Sequence, residues 1–208
     1  MLLSTAFSPP VSWFAAAATE DKVYLEACEN YQKQSYRNRC RIAAAQGVES
    51  LSVPVVHEGG TFKLPITKIK VDYSEPWIHK FHRAVDSAYE SSPFLEYYRD
   101  ELYAILDTRP ETLWELNLSV IRFFMAKTGL KVKIVPTKTF TPEDSGIYGE
   151  DFREAIHPKR DDLTLRYLQL EKPYFQVFAG KYGFAENLSV MDLLFNMGPE
   201  SLLYLKKV

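Results

Sequence analysis

The chain has 208 residues, a formal net charge of -2 and a pI of about 6.1. With 46% hydrophobic and 14% aromatic residues it carries enough apolar mass for a sizeable core, which excludes an intrinsically disordered chain. The slightly acidic balance argues against a general nucleic-acid binder, which is usually strongly basic.

The length fits a single domain over residues 1–208. Residues Met1 to Ala18 are apolar and end in an alanine run, as a leader does. They lack a basic start, and Pro9-Pro10 interrupts the apolar stretch, so a signal peptide is not expected. No apolar run reaches membrane-spanning length. The two cysteines, Cys28 and Cys40, have neither metal-knuckle spacing nor the number for a disulfide framework. They read as small buried side chains in a cytoplasmic protein.

In chain order, Met1 to Phe7 predicts a short buried strand, Val11 to Ala18 a short helix after the prolines, and Lys22 to Cys28 a second strand. Strand, turn, helix, strand predicts a parallel βαβ start. Cys40–Ala45 and Val48–Val55 flank Gln46-Gly47 and predict a hairpin. His57 to Thr61 reads as a loop, and the alternation from Ile66 to Tyr73 predicts another strand.

Helices follow. One runs from Glu75 to Glu90 with Ser74 as its cap, the next from Ser92-Pro93 to Leu106, the third from Pro110 to Lys127, closed by Gly129. Lys131 to Val135 reads as a strand, and polar Thr137 to Lys159 as a mobile segment or lid. Leu163 to Leu170 fits helix or strand. Ser189 and Asp192 have the spacing of a capping box before a terminal helix, which Gly198-Pro199 breaks ahead of a short helix from Glu200 to Lys206.

Three places hold residues suited to chemistry. Phe7-Ser8-Pro9-Pro10 lies at the carboxyl end of the first predicted strand, where ligands bind in open α/β sheets; the alternative is a rigid proline turn. The run Tyr31-Gln32-Lys33-Gln34-Ser35-Tyr36-Arg37-Asn38-Arg39 has cations, phenols and amides but no aliphatic residue, a poor linker composition. If extended, it places Arg37 and Arg39 on one face, a clamp for phosphate or carboxylate; the alternatives are a solvated charge run, or salt bridges to Glu26 and Glu29.

Third, Glu75, His79, His82, Asp86 and Tyr89 form one helical stripe. Asp86 could orient His82 as a general base. A metal would need His79, His82 and Asp86 plus His57 or His157, and no metal is assigned; an ordinary polar helix face is the third possibility.

Four segments resemble the WbqC-like protein family, in the form common among Bacteroidetes. They are Phe7 to Phe14; Glu29 to Cys40 with Leu51-Ser52-Val53-Pro54-Val55; Trp77 to Tyr98; and Phe184 to Glu200. Phe7, Ser8 and Trp13 depart from the family pattern, and Phe7 lacks the hydroxyl of the tyrosine usual there. The family often has a histidine early in the third segment, corresponding to His79 or His82. The resemblance implies a setting in O-antigen and related surface-polysaccharide gene clusters, where glycine transfer to a sugar has been proposed. The opening strand, proline turn and helix also resemble nucleotide-binding folds.

The expected fold is therefore α/β: a Rossmann-like, mainly parallel core with an inserted β-hairpin and a helical region. The expected function is a transferase modifying a sugar intermediate. In it Lys33, Arg37 and Arg39 hold an anion, and Tyr31, Tyr36 and Asn38 orient the acceptor. Pro9 and Tyr89 line the site, and His82 with Asp86, or His79, serves as base. The alternatives are a non-catalytic glycan- or partner-binding protein and a nucleotide-binding protein of nucleotidyltransferase-like fold. Expected partners are small sugar or nucleotide-linked molecules, with no nucleic acid and no membrane span. Cofactors and oligomeric state stay open.

Overall fold

The computed structural model describes residues 1–56, 63–143 and 145–206. The predicted loop at His57 to Thr61 lies outside them. Strand β1 (Leu2–Ser4) leads through the proline turn into helix α1 (Val11–Ala17), which returns the chain to β2 (Lys22–Glu26). The two strands pair in parallel, Leu2 with Tyr24 and Ser4 with Glu26. Strand β5 (Lys133–Pro136) joins the other side of β2, also in parallel, giving the order β1-β2-β5. Leu2, Leu3, Val23 and Leu25 are all buried, as expected of a parallel sheet covered on both faces. The carboxyl ends of the three strands therefore lie side by side.

The predicted hairpin forms from β3 (Arg39–Ala44) and β4 (Gly47–Ser52), antiparallel and in register from Arg39–Ser52 to Ala44–Gly47. Its two-residue turn is Ala45-Gln46, and Gly47 follows with φ 111°. β4 ends before Val53 because that residue turns to donate its N–H to the Asn38 carbonyl. The predicted strand at Ile66 to Tyr73 is instead a 3₁₀ turn, Ile66–Lys68, followed by single bridges of Val71 to Val55 and Lys70 to Thr112. Ile66 and Ile69 are both buried. Their three-residue spacing puts them on one face of a 3₁₀ turn but on opposite faces of a strand, so the apparent alternation misleads.

Helices α2 (Trp77–Tyr89), α3 (Leu95–Asp107) and α4 (Leu113–Thr128) come next. Trp77, Phe81, Val85, Ala88 and Tyr89 form the buried stripe of α2. That helix begins two residues later than predicted, without a side-chain cap; the Ser74 N–H instead bonds the Asp72 carboxylate. α4 starts at a capping box not read from the sequence: Thr112 accepts from the Glu115 N–H, and Glu115 accepts from the Thr112 N–H. Gly129, with φ 74°, closes it as predicted.

Short helices α5 (Thr164–Tyr167) and α6 (Ala179–Tyr182) precede α7 (Val190–Met197) and α8 (Ser201–Leu205). Ser189 caps α7 by accepting from the Met191 N–H. Asp192 does not complete a capping box. Its carboxylate points inward and accepts hydrogen bonds from Tyr89, Tyr174 and Gln176.

The polar segment predicted as a lid is fastened to the core. Its Leu2–Asp151 bridge extends the sheet past β1, with Leu2 N–H donating to the Glu150 carbonyl and Phe152 N–H to that of Leu2. Arg153, a charged residue in that polar stretch, is buried at 5% exposure because it meets acidic partners on β2 and on its own segment. Among the described residues no helix is long and apolar enough to cross a membrane.

Gly198 ends α7 with φ 52° and ψ -128°, a conformation that L side chains rarely adopt. A Cβ there would meet the Phe94 ring at 2.6 Å. Gly198→Ala is expected to lower stability by about 3 kcal/mol, from backbone strain and overpacking together. Urea denaturation checks this, and a loss below about 1 kcal/mol would show that Phe94 moves aside at little cost.

Candidate binding cleft at the carboxyl ends of the parallel strands

β2 ends in a carboxylate, and the packing around that end explains why it can be buried. Glu26 is fully buried. It accepts from the Thr137 hydroxyl at 2.6 Å, the Thr141 and Cys28 N–H groups at 2.9 Å and Arg153 Nη1 at 3.3 Å. Arg153 is held in turn by Asp151, its Nη2 2.6 Å from Oδ2. A buried carboxylate with this many donors has exchanged its water shell for protein groups.

Beside it, Glu29 and Arg37 form a second buried pair. Arg37 Nε donates to Glu29 Oε1 at 2.9 Å and Nη2 to Oε2 at 2.5 Å, a bidentate fork. Arg37 also donates to Ser4 at the end of β1 and to Gln32, and Ser4 donates to Glu29. Burial pushes the Glu29 carboxyl above its usual range, and the Arg37 charge opposes that shift.

The Tyr31–Arg39 run is packed against the protein as well as charged. Tyr31, Ser35, Tyr36 and Arg37 are all buried. Ser35 caps a 3₁₀ turn over Tyr36–Asn38 and donates to the Gln32 carbonyl. Tyr36 gives its carbonyl to the Phe7 N–H, and Asn117 on α4 donates to the Arg37 carbonyl at 2.8 Å. Burial raises both phenols, Tyr31 against the opposing pull of Arg39 and Arg37, and Tyr36 against that of Arg41. Arg37 and Arg39 do not share a face as an extended run would place them. Arg37 turns into the core, and Arg39 opens β3.

The result is a cleft of about 290 Å³ at the strand ends, which Arg37 and Arg153 help to line. Glu29, Glu143 and Glu154 supply carboxylates, Tyr31 and Phe140 supply rings, and Asn30 and Gln32 supply amides. Phe140 is 56% exposed. A second groove of about 290 Å³ lies across Tyr31, lined by Lys33, Asn38 and Arg39 together with the Ser52–Val55 strand exit.

The remaining predicted site residues lie elsewhere. Pro9 is buried in the proline turn under residues 187–190: Val190 N–H bonds the Pro9 carbonyl, Val11 N–H bonds that of Leu188, and the Ser8 and Ser189 hydroxyls are 2.6 Å apart. Tyr89 is buried against Asp192, with its hydroxyl pushed well up by burial.

His79 and His82 line a separate cavity of about 350 Å³ with Glu75, Asp107 and Arg109. His82 stacks on Tyr103 with ring centroids 3.8 Å apart, and its Nε2 is buried without a hydrogen-bond partner. Burial lowers its pKa, with Asp107 and Asp86 opposing. Asp86 is engaged by the Tyr103 hydroxyl at 2.9 Å and by Arg99 at 3.6 Å. Among the described residues no group of three or more His, Cys, Asp or Glu stands ready to hold a metal ion. His157, on the segment after Arg153, accepts from the Lys159 N–H through Nδ1, and burial lowers its pKa.

Phe140, Glu143, Arg153 and Glu154 are absent from the residues expected from the sequence, and Glu26 is expected only as a salt-bridge partner of the Tyr31–Arg39 run. Only Glu26 had a usable signal, an acid at the carboxyl end of a buried parallel strand. The others sit in a polar stretch without periodicity.

These features define an α/β protein with a ligand-sized cleft at the carboxyl ends of its parallel strands. The chain belongs to the WbqC-like protein family, matched over residues 5–156 and 144–204. It is 23% identical to the uncharacterised protein Rv1507c of Mycobacterium tuberculosis (strain ATCC 25618 / H37Rv), over 99% of this chain and 96% of that one. No solved structure matches the chain.

Proposed function

We propose that the protein is a transferase that modifies a sugar intermediate of surface polysaccharide, by acyl or aminoacyl transfer such as that of glycine, with the sugar seated in the carboxyl-end cleft. The observation that carries this reading is the lining of the cleft. Two carboxylates, Glu143 and Glu154, and two amides, Asn30 and Gln32, surround an exposed ring, Phe140, while Glu29 in the same lining is already taken up by Arg37. Carboxylates accept from vicinal hydroxyls, amides both donate and accept, and an aromatic face covers the apolar side of a pyranose. The cleft also lies where open α/β sheets place their ligands.

A second reading, a non-catalytic glycan-binding protein of the same pathway, draws on another observation. The two arginines of the cleft are each paired with a buried or half-buried carboxylate, an arrangement that suits a static wall. His82 and Asp86 do not distinguish the two readings, because the cavity that His82 lines shares no residue with the cleft and a general base has to lie within hydrogen-bond reach of the proton it takes. Turnover itself separates them.

Titration with a panel of hexoses, hexosamines and their phosphates tests the cleft. Phe140→Ala and Glu143→Gln alter exposed side chains, so the fold is retained. Each is expected to weaken the bound sugar by about tenfold, the equivalent of about 1.4 kcal/mol. Equal binding by wild type and both variants, or no binding across the panel, would overturn the assignment. Mass spectrometry of the acceptor after incubation with acyl and aminoacyl donors then separates transferase from binder.

A further inference from the structure

The two cavities that meet at Tyr31 differ in charge. The carboxyl-end cleft is lined by Glu29, Glu143 and Glu154 against Arg37 and Arg153, and both arginines are already paired with carboxylates. The groove on the other side of Tyr31 has Lys33 and Arg39 in its lining and, among the described residues, no acidic one. Lys159 adds a third cation at its rim by donating from Nζ to Gln34 Oε1, and Gln34 lines the groove.

Arg39 helps to line that groove, its Nε is buried behind the lining without a hydrogen-bond partner, and among the described residues it forms no ion pair. Asn38, next to it, donates from Nδ2 to the Val53 carbonyl at 2.9 Å and so holds the strand exit that forms the opposite wall. Ser52, directly across the hairpin from Arg39, is exposed in the groove lining.

A buried guanidinium donor with no partner is costly unless a ligand completes it. A fork of N–H donors matches the oxygens of a phosphoryl group, and a lysine adds a point charge.

We infer that the Lys33–Arg39 groove is a phosphate subsite, holding the phosphoryl or diphosphoryl end of an activated sugar whose ring lies in the neighbouring cleft. Tyr31, the wall common to both, then sits at the junction between sugar and phosphate. The inference deepens the proposed function by naming the substrate class as a sugar phosphate or nucleotide-linked sugar. Only the pairing of the two compartments rests on that reading; the anion subsite does not. Arg37 is left out of the subsite because Glu29 already occupies its fork.

Calorimetric titration with inorganic pyrophosphate tests the groove, and titration with a free monosaccharide tests the cleft. Wild type is expected to bind pyrophosphate, and Arg39→Gln to weaken it by about tenfold or more. Arg39→Lys keeps the charge without the fork and is expected to fall between them. Glu143→Gln, across the Tyr31 wall, is expected to change pyrophosphate affinity by less than about twofold. Denaturation midpoints of the Arg39 variants, measured alongside, show whether the hairpin still folds.

Absence of pyrophosphate binding to the wild type, or equal binding by a folded Arg39→Gln, overturns the subsite. Pyrophosphate binding that depends on Arg39 without any sugar binding supports the subsite and overturns the cleft reading. Sugar binding without pyrophosphate binding does the reverse.

Discussion

Arg37→Ala is expected to destabilise the fold by about 3–5 kcal/mol, because it leaves Glu29 buried without its cation. Glu29 is 6% exposed and Arg37 3%, so water cannot replace the lost partner without opening the loop. The truncation also removes the donors to Ser4 Oγ and Gln32 Oε1, which tie the loop to the end of β1. The uncompensated carboxylate binds a proton more readily than in the wild type, where burial already raises its affinity for one. The loss is therefore greater at pH 7 than at pH 5, where protonation of Glu29 relieves the buried charge.

Urea denaturation at the two pH values measures both effects. Arg37→Met with Glu29→Leu removes the pair together and is expected to recover most of the loss, since buried ion pairs are commonly no better than apolar groups of similar volume. A single-variant loss below about 1 kcal/mol would mean that the pair contributes as little as an exposed one, and Arg37 would then be available to a ligand. Any loss of ligand binding in Arg37→Ala carries this folding cost with it, so Arg39 is the informative position for anion recognition.

The parts of the fold that could be read from the sequence are those in which one strong local signal decides the element. Pro9-Pro10 between two apolar runs gave the βαβ start, Gln46-Gly47 gave the hairpin to within one residue, and Gly129 gave the end of α4. Elements decided by distant partners were misread. Ile66 to Tyr73 alternates like a strand, yet Pro65 and the buried Ile66 and Ile69 turn it into a 3₁₀ segment. Ser189 and Asp192 have capping-box spacing, but the three donors waiting for Asp192 lie on Tyr89, Tyr174 and Gln176, far away in sequence.

The same distinction applies to the cleft. The Tyr31–Arg39 composition raised the expectation of a recognition loop, and residues of the run border both cavities. Glu29 was an expected salt-bridge partner of the run, and it pairs with Arg37; composition could not decide that Arg37 rather than Arg39 would be the cation taken up. Arg153 was unreadable for a related reason. A charged residue in a polar stretch looks solvated until the buried Glu26 that accepts from it is known. Of the expected stripe, His79, His82 and Asp86 lie on α2 while Glu75 precedes the helix and Tyr89 turns into the core; periodicity does not say which cavity a face borders, and His79 and His82 line one separate from the cleft.

Asp192 makes the other large prediction. Its carboxyl is fully buried, with no cation among its hydrogen-bond partners, and burial pushes its pKa up to about 6 from 3.8, against the pull of its three donors. The folded protein therefore binds a proton here more tightly than the unfolded chain. Stability falls as pH rises from the lower value through the upper one, and the penalty is complete only well above about 6. The full penalty is about 3 kcal/mol, of which about 1 kcal/mol develops between pH 5 and pH 7.

Asp192→Asn removes the titration but keeps the shape. Its oxygen can still accept from Tyr174 and Gln176, which leaves its NH2 against the Tyr89 hydroxyl, so the variant loses one hydrogen bond to a charged acceptor, about 2 kcal/mol at pH 7. The gap between wild type and variant should be wider at pH 5, because only the wild type gains from the proton. The expected order is a difference in denaturation free energy that shrinks by about 1 kcal/mol from pH 5 to pH 7. Glu29 has the same sign of shift and is present in both proteins, so it cancels in the comparison. A gap that grew with pH would mean that the carboxylate, not the acid, is the form the core favours, and the Tyr89–Tyr174–Gln176 donors would then outweigh burial.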